Sequence, residues 1–243
     1  MEDKKEIKVF VGSAPEQLIP SLVLEYSIKK HTENPVTVTP LYQLDTSHKI
    51  PRNANCLPRT PFSFQRFFIP SLTTGRAFYL DSDMLVFDDM APLLDVDFEG
   101  NEGLSAKGME TFDNWSGSNY AMLMLNCDAI QWDMNSIIDM LDNEEITYEE
   151  LMFEFKHSKI APLLGENGQW NSLDVYEAGV TKLLHYTNMG TQPWKYTDHH
   201  LGSLWEKHLA QALQSGAIDI ELVKEHQEKR WIRPFLGKVE GLK

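Results

Sequence analysis

The stretch that decides the fold is Ala77-Phe78-Tyr79-Leu80-Asp81-Ser82-Asp83. Four apolar or aromatic residues follow the Gly75 region without interruption, and then two carboxylates flank one serine. A short apolar run bounded in this way predicts a central strand buried on both faces. Open α/β sheets bind ligands beyond the carboxyl ends of their strands. Asp81 and Asp83 stand where such a strand gives way to a turn, so their carboxylates can converge. Close like charges repel and want a counter-charge. A hard divalent cation supplies it and leaves positions for water and phosphate oxygens. The plainer alternative is a pair of surface acids that cap a strand. Asp88 and Asp89, a few residues on, read as a solvated turn or a cap before Met90.

Upstream, Ile7 to Val11 predicts a first strand, ended by Gly12-Ser13. Pro15 suits the first turn of a helix, and Leu18, Ile19, Leu22, Val23 and Tyr26 carry that helix to about His31. The β-branched segment 36–41 predicts a second strand. Strand, helix, strand is the opening of a parallel α/β unit. Residues 45–62 are polar and rich in proline, and read as a loop. A helix is expected over 63–72, with Pro70 near its end.

Downstream, 84–98 mixes apolar residues with acids, and 100–108 reads as a loop. Residues 119–126 predict another core strand. Amphipathic helices are expected near 128–142 and 147–156, a short buried piece at 161–164, and a turn at 165–168. A strand is expected over 180–186 and a helix over 205–213. The tail, with Trp231, Ile232, Pro234 and Phe235, has a weak packing pattern. Neither repeats nor low-complexity tracts are evident.

The 243 residues are 42% hydrophobic and 24% charged, a globular composition. The formal net charge of -14 argues against nucleic acid or an anionic membrane as partner. The same field would repel a phosphate-bearing substrate, so a site for one needs a local cation. Cys56 and Cys127 form neither a CxxC pair nor a disulfide framework. No apolar run reaches membrane length. The polar, mixed-charge N-terminus lacks a signal-like core, and a cytoplasmic protein is expected. Asn114-Trp115-Ser116 matches a glycosylation acceptor, read as chance in that setting.

Three segments together resemble the retaining glycosyltransferases of the glycogenin and lipopolysaccharide galactosyltransferase family, a family 8-like group. The first is Phe62-Ser63-Phe64-Gln65-Arg66-Phe67 with the strand that ends at Asp81-Ser82-Asp83. The second is Asn114-Trp115-Ser116 leading into Met122-Leu123-Met124-Leu125-Asn126-Cys127. The third is Trp170-Asn171-Ser172-Leu173, followed by Leu184-His185-Tyr186-Thr187-Asn188-Met189-Gly190-Thr191-Gln192-Pro193-Trp194. Their order and spacing span roughly residues 7–210.

The resemblance implies a GT-A-like α/β fold with a central, mainly parallel sheet flanked by helices. It implies one domain over 1–243, with 211–243 as a helical extension. It further implies a nucleotide-sugar donor, usually a UDP-sugar, a hydroxyl acceptor, and a divalent ion, usually Mn2+ with Mg2+ as the second choice. Asp81, Asp83 and His185 match the metal ligands, and manganese accepts mixed carboxylate and imidazole donors. Arg66 matches a basic residue near the donor, where a guanidinium suits phosphate or sugar. Gly12 and Ser13 fall where the family binds base and ribose. Ser82 lies between the acids, and Gly190 and Lys195 lie on the loop that closes over the diphosphate.

There are also departures. Ser118-Asn119-Tyr120-Ala121 stands where Asn-Ala-Gly is usual, and no Asp-Gln-Asp occurs in the donor-sugar loop. Tyr148-Glu149-Glu150-Leu151-Met152 holds its approximate place, with a solvated helix face as the simpler reading of Glu149 and Glu150. Trp170-Asn171 is expected on the acceptor side. These departures motivate a rival reading, a non-catalytic nucleotide-sugar or carbohydrate-binding protein. Sugar, acceptor, pathway and oligomeric state are not legible.

Overall fold

The computed structural model describes residues 4–106, 120–163 and 168–234. The sequon at 114–116, the altered 118–119 pair, most of the turn at 165–168 and Phe235 lie outside them. A six-stranded sheet carries the molecule, in the order β2-β1-β3-β6-β5-β7. Its strands are β1 (Ile7–Gly12), β2 (Val36–Pro40), β3 (Arg76–Asp81), β5 (Gly103–Ser105), β6 (Met122–Asn126) and β7 (Ile160–Pro162). The pairings β1–β2, β1–β3 and β5–β7 are parallel, while β3–β6 and β5–β6 are antiparallel. A second sheet joins β4 (Met84–Val86), β9 (Leu183–His185) and β8 (Ser172–Leu173), with β9 in the middle.

β3 is central, as its apolar run predicts. Ala77, Phe78, Tyr79 and Leu80 are all fully buried. Side chains alternate across a strand, and so do its contacts. Phe78 and Leu80 face a core with Val9, Val11, Met122 and Met124. Ala77 and Tyr79 face a second core with Phe10, Leu123 and Leu125. Full burial of each large apolar side chain contributes roughly 1.5–3 kcal/mol, so this strand anchors both layers.

Helix α1 (Leu18–Lys30), entered through a 3-10 turn at Pro15–Gln17, lies between the two sheets. Leu24 and Ile28 pack with the six-stranded sheet, while Ile19 and Val23 pack with Leu85 and Leu184 of the smaller one. A helix apolar on both sides is suited to that buried position. The hydroxyl of Ser27 fastens it, donating to Leu24 O at 2.7 Å and accepting from Val86 N at 2.9 Å.

The opposite face of the large sheet is covered by α3 (Met134–Asp142) and α4 (Tyr148–Met152). Asp133 caps α3, and a reciprocal Thr147–Glu150 box caps α4. Helices α5 (Gly202–Gln214) and α6 (Ile220–Glu228) pack through Trp205, Leu209 and Val223 into the core that also holds Trp194. No helix of the described residues is long and apolar enough to cross a membrane. Cys56 and Cys127 are free and buried.

The differences from expectation have local causes. The 63–72 helix is divided into a 3-10 turn at Gln65–Phe68 and the short α2 (Ile69–Leu72), because Pro70 cannot continue a hydrogen-bonded ladder. The two helices after β6 are shorter than their patterns, and α3 starts only where Asp133 caps it. β5 falls inside the expected loop. Its Gly103 reads as a breaker, yet a Cβ there would sit 2.7 Å from Ile160 Cδ1 and 3.0 Å from Met124 O, so close strand packing requires glycine. The expected piece at 161–164 overlaps the edge strand β7, which is only partly buried, while Leu163 beyond it is buried and Leu164 lies outside the described residues. The tail packs more firmly than its pattern suggests. Ile232 is buried, Arg233 N donates to Trp194 O at 2.7 Å, and the Arg233 guanidinium pairs with Glu206.

Two histidines are embedded in apolar surroundings. His157 packs against Phe67, Phe155 and Trp132, and neither ring nitrogen has a hydrogen-bond partner. His208 donates from Nδ1 to Leu204 O, with Nε2 unpartnered. Burial pulls each imidazole from an ordinary 6.5 to about 4. The unfolded chain therefore binds more protons between those values. Stability is complete above pH 6.5 and falls as the pH drops toward 4. His157→Phe and His208→Leu should each flatten this fall by on the order of 2 kcal/mol. Urea unfolding across that pH range measures the slope, and parallel profiles for wild type and variants would contradict it.

Candidate metal and nucleotide-sugar site

The chain changes sheets at the acid pair. β3 ends at Asp81 in the six-stranded sheet, Ser82 and Asp83 make the turn, and β4 pairs with β9 in the smaller sheet. Asp81 lies opposite Gly12 of β1, and Met84 lies opposite His185 of β9. Tyr186 N donates to Asp83 O at 2.9 Å, and Asp81 N to Ala121 O at 3.2 Å, so backbone bonds hold both acids. Asp81, Asp83 and His185, separated by about a hundred residues of chain, each turn one ligand atom inward. The three atoms lie within 4.8 Å of one another.

His185 Nε2 stands 3.1 Å from Asp83 Oδ1, a buried oxygen that accepts no hydrogen bond from any N–H or O–H donor whose proton position is settled. An unpartnered buried carboxylate oxygen is costly, and a cation between it and the ring would relieve that cost. The other ring nitrogen is committed. Asn171 Nδ2 donates to Ala106 O at 3.3 Å, which turns Asn171 Oδ1 to accept from His185 Nδ1 at 3.1 Å. That bond places the proton on Nδ1 and leaves the Nε2 lone pair directed at the acids, the usual support of a metal-binding histidine.

Burial raises the Asp81 carboxyl above the ordinary range, Arg66 opposes that shift, and Asp83 adds to it. For His185, burial works against the imidazolium, but Asp83, Asp81 and Asp174 together raise its pKa. The cluster is short of positive charge. Two carboxylates and an imidazole fit a divalent ion of borderline hardness such as Mn2+ better than an all-oxygen Mg2+ shell.

Behind Asp81, the Tyr79 hydroxyl donates to Asp81 Oδ1 at 2.6 Å. Burial raises the phenol well above its ordinary value, so it remains a neutral donor. Gly12 makes room for it. A Cβ at position 12 would lie 2.1 Å from that hydroxyl oxygen. Arg66 lies over the Tyr79 ring at 4.5 Å and donates from Nη1 to Tyr120 O at 2.9 Å, while its buried Nε has no partner. Arg66 is therefore brought to the acid pair.

The other expected residues are placed differently from one another. Ser82 is buried in the turn between the acids. Ser13 is fully buried, its N–H donates to Gln65 Oε1 and its hydroxyl to Val11 O, so both polar groups are committed internally. Gly190 N donates to Asn188 Oδ1 at 3.0 Å, an exposed bond internal to the loop. Lys195 is exposed. Glu149 pairs with Arg59, and Glu150 caps Thr147 and binds Lys156. Both belong to a solvated helix face and take no part in the cluster. Asp89 Oδ1 accepts from Ala91 N, and Asp88 pairs with Lys182. Trp170 is 4% exposed and Asn171 fully buried. This corrects the acceptor-side expectation: Asn171 lies behind His185, where its amide is needed.

Asp174 has no counterpart in the sequence reading. With φ at 52°, it directs its carboxylate to Thr187 N, Thr187 Oγ1 and His199 Nε2, while its carbonyl accepts from His200 Nε2. It thus grips both ends of the loop between Thr187 and His199. Isolated acids and histidines carry no signal of such pairing before the chain is folded.

No family model matches the chain. It is 36% identical over 98 residues to protein CDI of Arabidopsis thaliana, covering 39% of this chain and 38% of that protein. It is 26% identical over 156 residues to glycosyltransferase GlyE of Streptococcus pneumoniae, covering 59% of this chain and 34% of GlyE. The chain thus spans little more than a third of each of these curated relatives. The crystal structure of GlyE superposes with a TM-score of 0.55 at 17% identity, over 88% of this chain and 64% of that one. Galactosyltransferase LgtC, solved with donor and acceptor sugar analogs, gives a TM-score of 0.57 at 14% identity, over 88% of this chain and all of that one.

The fold is that of the GT-A glycosyltransferases. Within this GT-A scaffold, the Asp81–Asp83–His185 cluster sits at the carboxyl end of the central strand β3.

Asn171→Leu should keep the fold and weaken Mn2+ binding about 10- to 100-fold, read by titration of the apoprotein. Gly12→Ala should weaken it in the same assay, because the added methyl displaces Tyr79 from Asp81. Wild-type affinity in either variant would remove that residue from the support of the cluster.

Proposed function

We propose that this chain transfers a glycosyl group from a nucleotide-diphosphate sugar, by resemblance a UDP-sugar, to an acceptor hydroxyl in glycan biosynthesis, with retention at the anomeric carbon. The observation that carries the reading is the convergence of one ligand atom each from Asp81, Asp83 and His185 within 4.8 Å on a GT-A scaffold. These residues would hold Mn2+, or Mg2+ in its place. The ion supplies charge neutralisation for the diphosphate as the sugar departs.

The chain's own groups have distinct tasks. Asn171 and Tyr79 fix the ligand atoms of His185 and Asp81. Arg66, buried beside the acids, adds a fixed positive charge toward the donor. Gly12 and Ser13 end β1 next to Asp81, where the resemblance puts the base and ribose; the N–H and hydroxyl of Ser13 are already engaged within the protein and leave the contact to carbonyl oxygens and shape. Lys195 places an ammonium on the exposed side of the 187–199 loop. The amide of Gly190 reaches phosphate once it exchanges Asn188 Oδ1 for a phosphate oxygen.

In the transfer itself, the bond from the anomeric carbon to the diphosphate oxygen breaks and a bond to the acceptor oxygen forms on the same face. The acceptor proton passes to the departing phosphate. The carboxylates at this site favour that route over a sugar linked to the protein. Asp81 and Asp83 point at the metal position, and Asp174 is spent on Thr187 and His199. The oxocarbenium-like charge on the sugar is balanced by the diphosphate beside it.

A panel of nucleotide sugars with Mn2+ tests the proposal, read by nucleoside diphosphate release and by the mass of any product. Turnover of at least one donor is expected, lost with EDTA and restored with Mn2+. Asp83→Ala should lower it by on the order of 10²-fold or more. Donor binding without turnover across the panel would instead favour the binding-protein reading, and metal-independent turnover would refute the role of Asp83.

A further inference from the structure

The loop between Thr187 and His199 touches the acid pair through a side chain that so far has no task. Gln192 is 1% exposed, and its Nε2 donates to Asp83 Oδ2 at 3.3 Å. The same nitrogen lies 3.7 Å from Met189 Sδ on the loop's outer part. The backbone that carries Gln192 forms a hydrogen-bonded turn. Its carbonyl accepts from Lys195 N and Tyr196 N, both at 2.9 Å. The next two residues, Pro193 and Trp194, are buried, and their carbonyls accept from Arg233. A buried amide on this turn thus spans from the loop to one oxygen of one acid.

We infer that Gln192 is a positioning residue that presents Asp83 Oδ1 to the metal and couples metal binding to the order of the 187–199 loop. This deepens the proposed function and rests on its metal reading. With Oδ2 held by the amide, the carboxylate plane is set and Oδ1 is the oxygen turned to His185, 3.1 Å from its Nε2. The chemistry of the side chain suits the task. A lysine or arginine could hold Oδ2 equally well, but its charge would compete with a divalent ion for the same carboxylate. The neutral amide orients Asp83 and leaves its full charge for the cation. Coupling follows from the same bond. An ion that fixes Asp83 fixes the acceptor of Gln192, and a loop that moves takes the donor away from Asp83. Exposed Met189 and Tyr196 and the exposed ammonium of Lys195 move with that loop, so the groups facing a bound donor are set by the state of the metal site.

The test is Mn2+ binding to the apoprotein, measured by electron paramagnetic resonance titration without any donor. It is paired with hydrogen exchange over 187–199, with and without the ion. Gln192→Met keeps most of the buried volume and removes the donor, and Gln192→Ala removes both. Thermal unfolding in EDTA reports whether each variant is folded, and the methionine variant decides if alanine loosens the turn. The expected result is a Kd for Mn2+ weakened about 10-fold or more, with the melting temperature of the EDTA form unchanged. Mn2+ should slow exchange in the loop of the wild type but not of the variants. Wild-type affinity in Gln192→Met, or equal protection of its loop by Mn2+, overturns the inference while leaving the metal reading intact. Failure of the wild type to bind Mn2+ or Mg2+ overturns both.

Discussion

Two like charges held in a buried corner constrain the rest of this structure. Asp81 and Asp83 are one residue apart, mostly shielded from water, and joined only by a buried serine. Such a pair is unfavourable in isolation, and the surrounding residues can be understood as a response to it. Tyr79 donates to one acid and Gln192 to the other, Arg66 contributes a nearby charge, and His185 faces both. One oxygen of Asp83 nonetheless has no hydrogen-bond donor besides the His185 ring it faces. The compensation is incomplete at the single point where a divalent ion would complete it.

Support for this corner extends outward through uncharged contacts. Gly12 is small because Tyr79 needs its space, and Asn171 is buried because His185 needs one nitrogen fixed. Asp174 holds both ends of the loop that carries Gln192, and Arg233 ties the middle of that loop to the C-terminal segment. Binding sites are more exact when they stand on packed elements than on free loops. Here the 187–199 loop, which reaches Asp83 through Gln192, is tethered from both sides.

Much of this was legible in the sequence because it depended on local pattern. The uninterrupted run from Ala77 to Leu80 announced a doubly buried strand, and its abrupt end at Asp81 announced the position of the acids. His185 could be joined to them only through resemblance, since no local rule relates residues a hundred positions apart. The supporting residues were hidden for a related reason. Asn171, Asp174 and Gln192 act through partners brought close by the second sheet, and β8 and β9 of that sheet have only two and three residues. Strands so short have almost no periodicity to read. β5 was obscured by Gly103, whose role is close packing. The glutamates of α4 could be read correctly as solvated because capping and ion pairing are local.

The switch of the chain from one sheet to the other has a mechanical side. Asp81 belongs to the large sheet, His185 to the small one, and Asp83 to the joint between them. A cation shared by all three would act as a rivet through two plates. Helix α1 is the spacer between those plates, fastened to the smaller by Ser27 and Val86. Affinity at the rivet therefore reports the angle between the plates. Changes in the spacer would then be felt at the metal position as a change in how well three atoms still meet.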